Sequence, residues 1–217
     1  KIMLTISNIS CIRGGSPLLA PVSFSISPGQ ALHIEGDNGI GKTSLLRVIC
    51  GLSEADSGEV LWNASPLNGQ NPDTVENFRS SLCYIGHTLS LKDELTGPEN
   101  LLIDAQLFGR NLPLTKVFDA LRAMGLSQWT HLPLRVLSQG QKRRTTLARL
   151  SLSNAKLWVL DEPFVALDAH SFNNLRGLLA QHLQQGGMLL YTSHQQVELG
   201  LPSGLAMDVR SIRLVAT

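Results

Sequence analysis

The chain has 217 residues, 43% hydrophobic and 16% charged, a balance that excludes an intrinsically disordered protein and suffices for a full core. Eighteen Lys and Arg against seventeen Asp and Glu leave a net charge of +1, so no broad attraction to nucleic acid or an anionic membrane is expected. No run approaches the roughly 18–20 apolar residues of a membrane span, the short apolar start at 2–6 predicts no secretory leader, and the scattered Cys11, Cys50 and Cys83 predict reduced cytosolic thiols.

From the N-terminus, residues 4–11, 22–26 and 31–35 read as short strands joined by turns such as Ser27-Pro28-Gly29. The third runs directly into Gly36-Asp37-Asn38-Gly39-Ile40-Gly41-Lys42-Thr43, and helical periodicity covers 42–50, with Ser44 in its first turn. This is GxxxxGKT in the context it requires, strand to loop to helix. The glycines let backbone N–H groups turn inward around phosphate oxygens, and the helix N-terminus adds positive potential. Lys42 can reach the β and γ phosphates of a nucleotide, and the Thr43 hydroxyl can ligate Mg²⁺. Residues 36–44 are therefore the candidate nucleotide-binding positions.

Further along, 59–62 and 82–85 read as strands, and 98–108, 114–124 and 141–152 as helices, Pro98 fitting a first helical position. The run Leu157-Trp158-Val159-Leu160 ends in Asp161-Glu162. That placement brings Asp161 towards the phosphate loop, where it can hold Mg²⁺ or its waters. Glu162 is then placed to take a proton from an attacking water or to orient it. A helix over 170–185 and a strand over 188–192 follow. The strands 157–160 and 188–192 are apolar almost throughout, as in a parallel sheet buried on both faces. The fold class is α/β, with a mostly parallel core sheet, an antiparallel β edge and a helical insert. One domain over 1–217 is expected, with the helical subdomain at about 88–150.

Leu137-Ser138-Gln139-Gly140-Gln141 opens a basic helix about twenty residues before Asp161-Glu162. It resembles the signature motif of the ATP-binding cassette (ABC) ATPases, usually LSGGQ, with Gln139 in place of one glycine. Ala166-Leu167-Asp168 resembles the D-loop of that family, and Thr192-Ser193-His194 its switch-histidine strand. Together with the phosphate loop, these motifs run in family order along nearly the whole chain. The resemblance implies a P-loop NTPase of ABC type that works as a head-to-tail dimer with two ATP molecules sandwiched between its copies. It implies that Ser138, Gly140 and Gln141 contact ATP held by the second copy. His194 would contact the γ-phosphate, and Asp168 would link the two sites.

Two positions depart from the family pattern. The adenine-stacking aromatic falls on Arg13, whose guanidinium can stack on a base with less apolar area. The Q-loop glutamine falls on His87, which makes it either a catalytic candidate acting through a ring nitrogen or a loop histidine outside the chemistry. Gly58-Glu59-Val60-Leu61-Trp62, Ile85-Gly86-His87, Glu94-Leu95-Thr96, Ala148-Arg149-Leu150, residues 157–164 and Gln185-Gly186-Gly187 together resemble the ATP-binding subunit of the cytochrome c maturation system, described as a haem exporter. That resemblance implies an ATP-hydrolysing motor, peripheral on the cytoplasmic face of the inner membrane, with integral membrane subunits as partners and no nucleic acid. The partner would dock between helical insert and core, with Leu89, Leu91, Leu95 and Leu101 as candidate contacts, ordinary core packing being the alternative for all four. No CxxCH or paired haem-ligand spacing is present. The alternatives are the ATPase of another small exporter, or a soluble ATPase acting on ribosomes or DNA. The latter would be expected to carry a second cassette and basic inserts.

Overall fold

The computed structural model describes residues 2–13, 16–194, 197, 199 and 208–215, with the side chains of 12, 13 and 16–18 outside the description. Alternating apolar residues at the start of the chain build β1 (Leu4–Arg13), β2 (Ser16–Ile26) and, after the phosphate-loop segment, β4 (Ser57–Trp62) and the short β5 (Ser65–Pro66). They form an antiparallel sheet in the order β2-β1-β4-β5, with Leu4, Ile6, Ile9 and Trp62 buried. The remaining strands are β3 (Gln30–Glu35), β6 (Leu82–Ile85), β7 (Leu157–Leu160), β8 (Met188–Thr192) and β9 (Asp208–Arg213). All their pairings are parallel, in the order β6-β7-β8-β3-β9. The antiparallel strands expected at an edge thus form a sheet of their own. The parallel sheet has β7 and β8 buried at every position, which accounts for their apolar composition.

The chain divides into two compact units. The first holds both sheets, in 1–86, 155–162 and 180–217. It also holds α1 (Lys42–Ile49), which buries Leu45, Leu46, Val48 and Ile49, and α2 (Pro72–Ser81). Helix α2 was not legible as a periodic segment because it buries Phe78 alone, edge-on to Trp62. Its start is chemically ordinary: Asn71 caps it by accepting from the Thr74 N–H, and Pro72 occupies the first position.

The second unit comprises 87–154 and 163–179. Helices α3 (Gly97–Leu107), α4 (Leu114–Ala123) and α5 (Gln139–Leu152) bury Leu101, Val117, Leu121, Leu147 and Leu150. Thr96 and Glu99 close a capping box at the start of α3, as Ser138 and Gln141 do at α5. Leu101 is 2% exposed and belongs to this unit's core, so it is not a docking contact; Leu89, Leu91 and Leu95 are half-buried. Helix α6 (Ala169–Gln184) is counted with this unit as far as Leu179 and with the first from Ala180. Among the described residues, no helix is long and apolar enough to cross a membrane.

At the end of α6, His182 lies flat on Trp158, ring centroids 3.7 Å apart and planes 4° from parallel. Its Nε2 is 3.2 Å from the Met188 carbonyl. Gly187 packs so closely that a Cβ there would meet the ring at 2.2 Å. Burial, partly opposed by the Met188 hydrogen bond, pulls this imidazole down to about 4 from an ordinary 6.5. The unfolded chain therefore takes up this proton below pH 6.5, while the folded chain does not until about pH 4. Stability from this group is fully present above pH 6.5 and falls as pH drops through that window, by about 3 kcal/mol in all. Denaturant unfolding at steps between pH 7 and 4 is expected to show the loss. His182→Phe, which keeps the stack but cannot titrate, should flatten the slope; an unaltered slope in that variant would contradict the assignment.

Candidate active site

Strand β3 delivers the chain to Gly36, and the loop ends where Gly41, in left-handed backbone with φ of 110°, caps α1 without a side-chain hydrogen bond. The first N–H groups of α1 are therefore not taken by a capping side chain. Lys42 is 8% exposed, and its ammonium donates to the Gly36 carbonyl at 2.6 Å and the Asp37 carbonyl at 3.1 Å. A cavity of about 390 Å³ lies against the loop, lined in part by Glu35, Asp37, Asn38, His194 and Arg213.

Thr43 stands at the start of α1 and donates its hydroxyl to Asp161 Oδ2 at 2.7 Å. Asp161 is 2% exposed, and its backbone N–H is held by the Ile85 carbonyl at 2.8 Å. The other carboxylate oxygen accepts from Thr192 Oγ1 at 2.8 Å, and the same hydroxyl accepts from the Glu162 N–H at 2.9 Å. Glu162 lies in left-handed backbone, φ 50°, a conformation costly for a side chain with a Cβ and upheld here by its neighbours. Its Oε2 accepts from the His194 N–H at 3.3 Å, and Oε1 lies 3.4 Å from His194 Nε2. Thr43, Asp161, Glu162 and His194 thus meet, although 118 residues separate the first two in sequence. Beside them, Tyr191 has its hydroxyl pushed up to about 12, by burial first and then by the charge of Glu35.

The cassette motifs of the second unit are organised around their own helix starts. Ser138 Oγ accepts from the Gln141 N–H at 3.2 Å, and Gln141 Oε1 accepts from the Ser138 N–H at 2.8 Å. A Cβ on Gly140 would come within 3.1 Å of the Ala166 carbonyl. Asp168 caps α6 by accepting from the Ser171 N–H at 2.7 Å, and Arg144 Nη1 lies 3.6 Å from its Oδ2. The Ser171 hydrogen bonds, then the nearby Arg144 charge, hold the Asp168 carboxyl below the usual range. His87 is exposed and belongs to this unit. Arg13 ends β1, and its side chain lies outside the described residues.

The family model of the ABC transporters matches residues 19–165. The chain belongs to the ABC transporter family. As a member of that family it binds and hydrolyses ATP. It is similar to the cytochrome c biogenesis ATP-binding export protein CcmA of Albidiferax ferrireducens, 42% identical over 96% of this chain and 97% of that protein. A CcmA of Nitrosomonas europaea is 45% identical over 90% of each chain. Among solved structures, a putative ABC transporter ATP-binding protein from Pyrococcus furiosus is 25% identical, with a TM-score of 0.81, covering 99% of this chain and 100% of that one. A cassette solved as a dimer with ADP and phosphate shares the fold, with 22% identity, a TM-score of 0.77 and 88% of each chain covered.

Thr192, present in the switch-strand motif but without a role of its own there, is a further member of the site. Its hydroxyl holds both the Asp161 carboxylate and the Glu162 backbone. Its signals were a hydroxyl ending an otherwise apolar run of strand residues and its place two residues before His194 in the switch-strand motif.

Proposed function

We propose that this chain is the ATP-hydrolysing motor of a membrane complex in cytochrome c maturation, driving haem export or release of a haem-loaded chaperone. The observation that carries the reading is 42–45% identity, over nine-tenths or more of the chain, to proteins named for cytochrome c biogenesis and export. In this reading the chain is peripheral on the cytoplasmic face of the inner membrane and works with integral membrane subunits, not with nucleic acid.

ATP phosphates seat against residues 36–44, where Lys42 exchanges its loop carbonyls for β and γ phosphate oxygens. Thr43 and Asp161 fit Mg²⁺: a hydroxyl and a carboxylate, both hard oxygen donors, converge at 2.7 Å, and Mg²⁺ on a nucleotide needs only one or two protein oxygens. When bound, Mg²⁺ neutralises charge across the β and γ phosphates. Glu162 accepts a proton from the water that adds to the γ-phosphorus as the bond to the ADP oxygen breaks, and the backbone tie to Thr192 aims that carboxylate. His194 donates to the γ-phosphate. A second copy in head-to-tail arrangement supplies Ser138, Gly140 and Gln141 to the same phosphate, with Asp168 at the join. Arg13 stacks on adenine, and His87 takes the place of the Q-loop glutamine.

Deleting the gene in its native host is expected to abolish haem-stained c-type cytochromes. A wild-type copy should restore them and a Glu162→Gln copy should not. Normal cytochrome c in the deletion strain would refute the assignment to this pathway while leaving the ATPase reading intact.

A further inference from the structure

The ladder between β3 and β8 ends at the pair Ile34 and Thr192, so the peptide joining Ser193 to His194 lies just beyond the ladder. That peptide is held from both sides by side chains. Its N–H, which belongs to His194, donates to Glu162 Oε2 at 3.3 Å. Its carbonyl, which belongs to Ser193, lies 3.1 Å from His33 Nε2. A carbonyl only accepts, so Nε2 carries the proton and donates. The ring is itself fixed: His33 is 5% exposed and stacks on its cross-strand partner Tyr191, with centroids 4.7 Å apart and planes 5° from parallel. Its Nδ1 lies 3.3 Å from Glu35 Oε1, on the strand that leads into the phosphate loop.

We propose that His33 is a positioning residue for ATP hydrolysis, which aims His194 and the Glu162 carboxylate by fixing the Ser193–His194 peptide. The argument is geometric. A peptide unit is planar, so anchoring its carbonyl sets the direction of its N–H. That N–H is one of the two contacts His194 makes with Glu162, the other being its ring nitrogen at 3.4 Å. His33 also lines the cavity that holds His194 and the loop residues 36–38, so the strap runs along the wall where phosphate is expected. The inference rests on the reading of Glu162 and His194 given under Proposed function.

The test is steady-state ATP hydrolysis by the full-length protein, with melting temperatures measured alongside. His33→Leu removes the donor and is expected to lower kcat by about ten- to a hundredfold, the scale on which small misplacements of catalytic groups act. KM for ATP should stay within about twofold, because Lys42 and the loop are untouched. His33→Gln, whose amide N–H reaches about as far as Nε2, should retain most of kcat; His33→Asn, polar but too short, should behave like His33→Leu. In the double variant with His194→Ala, the combined loss should fall short of the product of the two single losses, since the ring contact with Glu162 is then already gone and only the backbone N–H remains to be misplaced. A wild-type kcat in both His33→Leu and His33→Asn would overturn the proposal. So would equal impairment of His33→Gln and His33→Asn at unchanged melting temperature, or losses that multiply in the double variant. Wild-type turnover in His194→Ala would remove the reading of His194 itself, and this inference with it.

Discussion

Glu162→Gln is expected to slow ATP hydrolysis by about 10²- to 10⁴-fold, the range for loss of a positioned general base, while ATP stays bound. The amide has nearly the shape of the carboxylate, and its oxygen can still accept from the His194 N–H that meets Glu162 Oε2. What it cannot do is take a proton from water. In the proposed reading binding rests elsewhere, on Lys42 and on the Thr43–Asp161 pair, neither of which the substitution touches. The variant should therefore accumulate as an ATP-bound dimer, visible as a shift in gel filtration that reverses when nucleotide is removed. Turnover near the wild-type rate would sink the role assigned to Glu162. Slow turnover without a dimer would separate the catalytic role from the head-to-tail assembly.

Lys42→Ala should fail earlier, at nucleotide binding. Lys42 is 8% exposed as a residue, and its ammonium is already directed at oxygen acceptors, the carbonyls of Gly36 and Asp37. Truncating a buried, hydrogen-bonded charge costs about 2 kcal/mol or more, which corresponds to at least about a thirtyfold rise in Kd for ATP. Titration with a fluorescent nucleotide analogue checks it. Unchanged affinity would mean that phosphate is held without Lys42 and that the loop reading is wrong.

The phosphate loop was legible because its chemistry is local: strand, glycines, Lys42 and Thr43 follow one another without interruption between Gln30 and Thr43. The Thr43–Asp161 contact was legible too, since Thr43 closes the phosphate-loop motif and Asp161 directly follows the buried strand β7, whose end fixes where it points. Helix α2 escaped because one buried residue in ten makes no periodic pattern, although Asn71-Pro72-Asp73 carried the chemistry of a helix start. Strand β9 escaped because it is an exposed edge with Asp208, Arg210 and Arg213 among its six residues. Thr192 and His33 sit inside apolar strands, where a polar side chain reads as an interruption until its partner is known. Those partners, Asp161 and the Ser193 carbonyl, lie 31 and 160 residues away. Strand partners are a non-local property as well, which is why the antiparallel strands were expected as an edge and not as a second sheet.

Among the described residues, strand β3, which launches the phosphate loop, pairs with β8 and β9, so Leu32 waits for Leu190 and Arg210 before it has a neighbour on either side. During synthesis at about 5–20 residues per second, that strand emerges on the order of ten to thirty seconds before its first partner. The nucleotide loop consequently cannot act as a nascent-chain folding nucleus: ATP has no rigid cradle to bind until Met188–Thr192 has left the ribosome. The antiparallel sheet, complete by Pro66, is the piece that can form early. Truncations that stop before β8 should accordingly yield chains with a protease-resistant N-terminal sheet, an exposed Leu32 strand prone to self-association and chaperone capture, and no nucleotide affinity.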